Sequence, residues 1–360
     1  MAKTIMDSYS QEKLNTLLGH FSVPKKNYLI KPLTDGLIND TFLVFDASTP
    51  LYILQRVNHL VFTDVDGLMN NIHHAFRYLH DTDYTKITLV KSNKDNSYHR
   101  TETGDYWRVM TYIDGSTAFN TTENPNIAYE AGKIIGKFNS LLQQAHLDDY
   151  IDTIPRFHDI SLRKAQFESA IASANPEKLK TAEKAVDFTY KVLEILMALD
   201  LSQLPLRVCH NDTKLNNILF SKVTEKALCL IDLDTLMKGY FLFDFGDAIR
   251  TIANTAAEDE QDHGKIVFDE TLFEAFVDGL AENGAFLTQK EIELLPWGAV
   301  LMPFLHGIRA LTDFLNNNIY YKVAYENQNL DRGLSLYNFT QKALDRIGYM
   351  EKVLDEKLKK

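Results

Sequence analysis

Two textures divide the chain. Up to residue 113 the apolar positions come in short or alternating runs: Tyr28-Leu29-Ile30, Thr41-Phe42-Leu43-Val44-Phe45 and Leu51-Tyr52-Ile53-Leu54-Gln55. That is the spacing of strands, and the turn signals Thr34-Asp35-Gly36 and Asp46-Ala47-Ser48-Thr49-Pro50 separate them. A helix is predicted near residues 64–80. Two more strands are predicted over 86–91 and 106–113, joined by a polar stretch from Ser92 to Gly104.

After Asp114-Gly115-Ser116 the apolar residues move to helical spacing. Ala128, Ala131, Ile134, Ile135, Phe138, Leu141 and Leu142 mark a helix over 126–146, opened by Asn124-Pro125. Pro176 and Pro205 bracket a second helical stretch, 177–200, and more helices are predicted at 243–256, 270–283, 289–316 and 334–357. Among them lies one β pair, Leu206–Cys209 with Ala227–Ile231. The expected fold class is α+β, with a small β-rich lobe over residues 1–112 and a larger helical lobe over 113–360.

Composition narrows the function. The 360 residues carry a net charge of −11, with 45% hydrophobic and 24% charged residues, an ordinary balance for a soluble enzyme. No surplus of Lys and Arg is available to neutralise a nucleic-acid backbone, so no nucleic-acid partner is expected. No apolar run reaches the roughly 18 residues of a membrane span, and Met1 to Ser8 has no signal-peptide core. Cys209 and Cys229 read as buried, reduced thiols in a cytoplasmic protein, on strands expected to be neighbours.

The chemistry concentrates in His210-Asn211-Asp212-Thr213-Lys214-Leu215-Asn216-Asn217, followed fifteen residues later by Asp232 in Leu230-Ile231-Asp232-Leu233-Asp234. Asp212 is placed to take a proton from an attacking hydroxyl and align it. A carboxylate suits this role, because phosphoryl transfer needs orientation more than a strong base. Lys214 offers positive charge to the transferred oxygens. Asn217 and Asp232 offer hard oxygen ligands for Mg²⁺. Any one of these residues is ordinary loop chemistry; their fixed spacing between two apolar strands is not. Phe243-Asp244-Phe245-Gly246 repeats the letters of a protein-kinase metal motif, but Asp244 comes 27 residues after Asn217 and opens a helix. Asp244 is therefore read as a structural or helix N-terminal residue.

These motifs together resemble the aminoglycoside phosphotransferase and choline kinase superfamily. The longer stretches Asp35-Gly36-Leu37-Ile38-Asn39, Tyr52-Ile53-Leu54-Gln55, Trp107-Arg108-Val109, Pro205-Leu206-Arg207, Gly307-Ile308-Arg309 and His210 to Leu219 resemble the N-acetylhexosamine 1-kinase family, between residues 20 and 345. The resemblance implies a protein-kinase-like bilobal fold in a cytoplasmic enzyme. Its expected reaction is ATP- and Mg²⁺-dependent phosphorylation of the anomeric hydroxyl of N-acetylglucosamine or N-acetylgalactosamine. It also implies that Arg309 and Tyr320 bind the sugar and that Asn39 lies near sugar or phosphates. Asp234, two residues after Asp232, is expected to support the metal site or the sugar.

Asp35 and Gly36 fall where a phosphate-covering loop belongs. Met110 and Tyr112 fall on a strand and hinge whose backbone would meet adenine. The third strand holds Gln55 where kinases carry a Lys, with Arg56 on the opposite face. Other acceptors, such as another hexose, an amino alcohol or an aminoglycoside, stay open on the residues alone. So does a non-catalytic nucleotide-binding regulator. The sequence does not fix the oligomeric state.

Overall fold

The computed structural model describes residues 9–33 and 38–359. The expectations for Asp35 and Gly36 lie outside the described residues. The chain forms two compact units, Met1–Ser116 and Thr117–Lys360.

The first unit is an antiparallel sheet of β1 (Leu29–Leu33), β2 (Asp40–Asp46), β3 (Thr49–Val57), β4 (Leu89–Val90), β5 (His99–Arg100) and β6 (Tyr106–Thr111). The order is β1-β2-β3-β6-β4, with β5 also on β6. Alternation sends Ile30, Phe42, Val44, Leu54, Trp107 and Val109 to one face, where Leu14, Leu17 and Leu18 of α1 (Gln11–Leu18) complete the core. Register places Gln55 between Thr41 on β2 and Arg108 on β6. The opposite face holds a buried polar layer. Gln55 Nε2 donates to Thr41 Oγ1 at 2.9 Å, and Gln55 Oε1 accepts from Arg108 Nε at 2.9 Å. Arg108 also reaches Met69 Sδ of α2 (Val65–Ala75) at 3.8 Å. Asp64 caps α2 by accepting from Gly67 N at 2.8 Å. Arg56 pairs instead with Asp40 and Asp105, at 2.7 and 3.1 Å.

The second unit is mainly helical: α3 (Pro125–Leu141), α4 (Ile160–Ser173), α5 (Pro176–Thr181), α6 (Glu183–Met197), α7 (Phe241–Ile252), α8 (Glu270–Ala281), α9 (Gln289–Leu315), α10 (Gln328–Leu344) and α11 (Ile347–Leu358). α9 is long and apolar enough to cross a membrane by composition, but most of it is buried as the core of this unit. Its capping box, Thr288 with Glu291, satisfies the first turn.

Four short strands carry the loops of interest: β7 (Arg207–Cys209), β8 (Ile218–Ser221), β9 (Ala227–Leu230) and β10 (Met237–Gly239). Here the expected β pair is corrected. β7 pairs with β10, and β9 pairs with β8, so Cys209 and Cys229 do not lie on neighbouring strands. Both thiols are free and buried, and burial raises the Cys229 pKa to about 12. Two predicted helices are also split. Residues 177–200 become α5 and α6, and 334–357 becomes α10 and α11, with α10 beginning six residues earlier. Helices α1 and α4 were not anticipated.

Helix packing around the site depends on glycine. A Cβ on Gly279 of α8 would stand 1.8 Å from Tyr129 O of α3, and one on Gly132 of α3 would stand 1.9 Å from Phe276 O of α8. Gly246 of α7 and Gly298 of α9 meet in the same way, with 2.0 Å from a Gly246 Cβ to Gly298 O. No rotamer relieves a clash with backbone, so Gly279→Ala should destabilise the fold by about 3 kcal/mol or more. Urea unfolding of the variant measures this; a loss well below 1 kcal/mol would mean that α3 and α8 separate without penalty.

Candidate active site

The loop from His210 to Asn217 leaves β7 and re-enters the hairpin at β8. Its backbone is held mainly from α7. The Asp244 carboxylate, in the first turn of α7 and fully buried, accepts from His210 N at 3.1 Å and from Asn211 N at 2.7 Å. Thr213 Oγ1 donates to Asp244 O, and Leu215 N donates to Thr251 Oγ1 at 3.0 Å. Burial pushes the Asp244 carboxyl up to about 6, against the N–H donors that favour its ionised form. Asp244 is thus a structural anchor of the loop.

Asn211 takes a left-handed backbone, φ 63°, and its Nδ2 donates to the carbonyls of Cys209 and Thr235, both at 3.1 Å. A side chain on Gly239 of β10 would collide with Asn211 Oδ1, 2.6 Å from its Cβ position. His210 spans the loop from inside. Its Nδ1 accepts from Asp212 N at 3.3 Å, which leaves Nε2 to donate to Ile231 O at 2.8 Å. The histidine therefore ties the Asp212 backbone to the residue before Asp232.

Three predicted residues meet directly. Lys214 Nζ donates to Asp212 Oδ2 at 3.0 Å, and Asn217 Nδ2 donates to the same oxygen at 2.8 Å and to Asp212 O at 2.8 Å. One carboxylate oxygen is thereby held in place. The Asn217 amide turns its nitrogen to Asp212, so its oxygen is the end available to a cation. Burial opposes the Lys214 charge, but Asp212 and Asp232 outweigh it and raise the ammonium pKa. Asp232 is exposed, in a left-handed conformation (φ 61°) that breaks β9 from the turn Leu233–Thr235. A non-glycine residue in this region marks local strain of the kind found at functional sites. Asp234 is buried within that turn.

Arg309 of α9 stands within electrostatic reach of Asp212. Its Cζ lies 5.4 Å from the Phe157 ring centroid and 6.0 Å from those of Tyr320 and Tyr321. Asp313 fixes the tyrosine segment, accepting from Tyr320 N at 2.8 Å and Tyr321 N at 2.9 Å. The remaining candidates belong to the first unit. Asn39 Oδ1 accepts from Asn58 N at 2.9 Å. Gln55 commits its amide to the sheet. Met110 pairs with Ile53 and Leu89, and Tyr112 N donates to Leu51 O at 2.9 Å.

Sequence reasoning missed an ionic chain in the second unit. Asp247 Oδ1 holds Arg250 at 2.6 Å and His306 at 3.3 Å. Glu258 pairs with both Arg250, at 2.7 Å, and Arg332, at 2.6 Å. It also missed His158, whose Nε2 contacts Asn211 O at 3.0 Å. Asp247 and Arg250 share α7 at i, i+3 spacing, but His306, Glu258, Arg332 and His158 come from other parts of the chain, so the full chain of contacts is not written locally.

A family model described as a phosphotransferase enzyme family matches residues 29–279. Solved structures match over nearly the whole chain. The microcompartment-associated aminopropanol kinase is 15% identical, with 95% of this chain and 99% of that chain covered and a TM-score of 0.61. Choline kinase from Cryptosporidium parvum Iowa II is 14% identical, with 97% and 99% covered and a TM-score of 0.59. Amicoumacin kinase in complex with AMP-PNP, Ca²⁺ and Ami is 14% identical, with 96% of each chain covered and a TM-score of 0.58. At this identity the likeness concerns the fold, a protein-kinase-like α+β arrangement with a β-rich first part and a helical second part.

The buried histidines carry a pH prediction. Burial and then the Arg250 charge push His306 down to about 4; burial and then His306 push His158 down to about 3. An unfolded histidine titrates near 6.5, so the unfolded chain takes up protons first as pH falls. The stability from each histidine is complete above that value and is lost as pH drops toward its folded value. In His306→Gln, the change in unfolding free energy between pH 7 and pH 5 should be smaller than in the parent by roughly 1–2 kcal/mol. Urea titrations at the two pH values check this; an unchanged difference would show that His306 is not held neutral.

Proposed function

The chain belongs to the phosphotransferase enzyme family, and from that premise we propose that it transfers the γ-phosphoryl group of ATP to the anomeric hydroxyl of an N-acetylhexosamine, with Mg²⁺. The observation that carries this reading is the Asp212 carboxylate, held on one oxygen by Lys214 and Asn217 in a loop anchored by Asp244. Its other oxygen is left to receive the substrate hydroxyl. An anomeric hydroxyl is more acidic than an ordinary alcohol, so a carboxylate suffices as its base.

In this reading Asp212 aligns the hydroxyl and accepts its proton, and Lys214 offsets the charge growing on the transferred oxygens. Asn217 Oδ1 and the exposed Asp232 carboxylate are hard oxygen donors that fit Mg²⁺. Among the described residues there is no cluster of three or more His, Cys, Asp or Glu to form an all-protein cage. Two protein ligands suit an ion otherwise held by phosphates and water. When bound, Mg²⁺ would neutralise the β- and γ-phosphate oxygens. The amicoumacin kinase complex with AMP-PNP and Ca²⁺ supports an ATP-type donor and a divalent cation. The first unit would serve the nucleotide, and the second the chemistry and the acceptor. Arg309 and Tyr320 would meet the sugar; this rests on the sequence resemblance, on the electrostatic reach of Arg309 to Asp212 and on the Tyr320 ring 6.0 Å from Arg309 Cζ. A cytoplasmic setting goes with the reading, and the two free thiols accord with a reducing compartment.

Asp212→Asn should lower kcat by about 10²–10⁴-fold while ATP binding is retained. Near-normal turnover in that variant would sink the assignment. The acceptor is tested by supplying N-acetylglucosamine, N-acetylgalactosamine, glucose, galactose, choline and an aminoglycoside in parallel. Phosphorus NMR should show an α-sugar 1-phosphate from the first two; turnover only on an amine-bearing acceptor would replace the sugar reading.

A further inference from the structure

Arg309 is not the only guanidinium on the acceptor side of the catalytic loop. Arg163, on α4, meets Phe157, the residue whose ring Arg309 lies against. Its Nη2 donates to Phe157 O at 2.6 Å, while Arg309 lies against the Phe157 ring. Phe157 is in turn fixed beside the loop, because its neighbour His158 contacts Asn211 O, one residue before Asp212.

Neither cation is in contact with a carboxylate, although Asp212 acts on Arg309 and Asp159 on Arg163 at longer range. Arg163 Nη1 bonds only a neutral partner, Gln166 Oε1, at 2.9 Å, and its buried Nε has no hydrogen-bond partner. Among the described residues, neither arginine forms an ion pair with a carboxylate. The nearby Asp159 is already committed: it accepts from Arg156 Nε at 2.6 Å, Ser161 N at 2.8 Å and Leu162 N at 3.1 Å. Asp212 is taken by Lys214. Burial, and after it the Arg309 charge, push Arg163 down to about 10, so the two guanidiniums feel each other. The rings around Arg309 supply π faces and phenol groups, not full negative charge. Elsewhere in this unit, buried Arg250 is matched by Asp247 and Glu258, and half-buried Arg332 and Arg207 by Glu258 and by Glu291, the last at 2.7 Å. Two partly desolvated like charges with a spare donor are the arrangement that a bound anionic oxygen group completes.

We propose that Arg163 and Arg309, converging on Phe157, form an anion-accepting subsite next to the catalytic loop, so that the enzyme ranks acceptors by charge: those bearing a carboxylate or phosphate first, neutral ones next, and ammonium-bearing ones last. The ranking rests on the phosphotransferase reading of Asp212; the subsite itself does not. Arg163 acts here on the acceptor's charged substituent, away from the hydroxyl that reacts.

Two measurements separate these claims. In the first, inorganic phosphate is titrated by calorimetry into the full chain saturated with Mg²⁺ and AMP-PNP, which removes the nucleotide site from the comparison. Phosphate should bind the parent at least about 10-fold more tightly than Arg163→Gln, while Arg163→Lys, which keeps the charge but not the planar fork of donors, should fall between the two. Lys191→Gln, on the exposed face of α6, serves as the surface-charge control and should match the parent. Equal binding in the parent and Arg163→Gln overturns the subsite, whether or not any acceptor turns over.

The second measurement compares kcat/KM for glucosamine, N-acetylglucosamine, N-acetylglucosamine 6-phosphate and a hexuronic acid. The parent should favour the two anionic sugars over glucosamine by about 10-fold or more, through KM, and Arg163→Gln should compress that ratio with kcat little changed. The 6-phosphate and the uronic acid show which anion is accepted. Turnover without charge ranking, or a ranking that survives Arg163→Gln, overturns the proposed specificity. Phosphate binding at Arg163 without turnover of any sugar would instead overturn the sugar-kinase reading and leave the subsite standing.

Discussion

The second unit turns on one buried carboxylate. Asp244 has no exposed surface and accepts two consecutive backbone N–H groups, those of His210 and Asn211. A loop cannot bury its N–H groups without acceptors, because each unpaired donor costs about 1–3 kcal/mol. A helix placed behind the loop resolves this with one side chain. Once those two residues are held, Asn211 can occupy its left-handed conformation and His210 can reach Ile231. The Asp212 backbone then has a defined position before any substrate arrives. The letters Asp-Phe-Gly in α7 thus describe an anchor for the loop from His210 to Asn217, while Asp232 stands exposed at the end of β9.

That anchor is only as firm as the seating of α7. Gly246 and Gly298 let α7 and α9 touch backbone to backbone, and Gly132 and Gly279 do the same for α3 and α8. Interhelical distance is set by the missing Cβ atoms, so the helices that carry Asp244, Asp247 and Arg309 have little freedom to drift. The ionic chain Asp247–Arg250–Glu258–Arg332 adds direction to this packing. Burial alone would disfavour every one of these charges, and their mutual pairing offsets that cost. Arg332 and Arg250 hold the Glu258 carboxyl down at about 2 against the effect of burial.

In the first unit the substitution of Gln55 for the usual strand lysine is part of a larger change. Its amide oxygen is occupied by Arg108 from the adjacent strand, and its nitrogen by Thr41. A lysine at this position would bring a second buried cation against the Arg108 guanidinium. Gln55 and Arg108 are therefore one unit of design in the sheet, and neither can be read alone.

The sequence by itself determined what depends on near neighbours. The alternating runs became β1 to β3 and β6, the helical spacing became α3 and α7 to α9, and eight consecutive residues from His210 to Asn217 contain the groups that meet around Asp212. Such features were legible because a strand, a helix and a tight loop are written in local periodicity. Tertiary structure decided the rest. The pairing of β7 with β10 and of β9 with β8 is not written locally, so two apolar segments that each contain a cysteine could not reveal that they are not partners. Helix α4 buries only Phe167 and Ala170, too few apolar positions to write a helical stripe, yet it brings Arg163 to Phe157. The breaks at Ala182 and near Asp345 carry no proline or glycine, so only packing placed them. Charge behaves in the same way. Composition records a net −11, but which cations meet a carboxylate depends on distances between elements far apart in the chain.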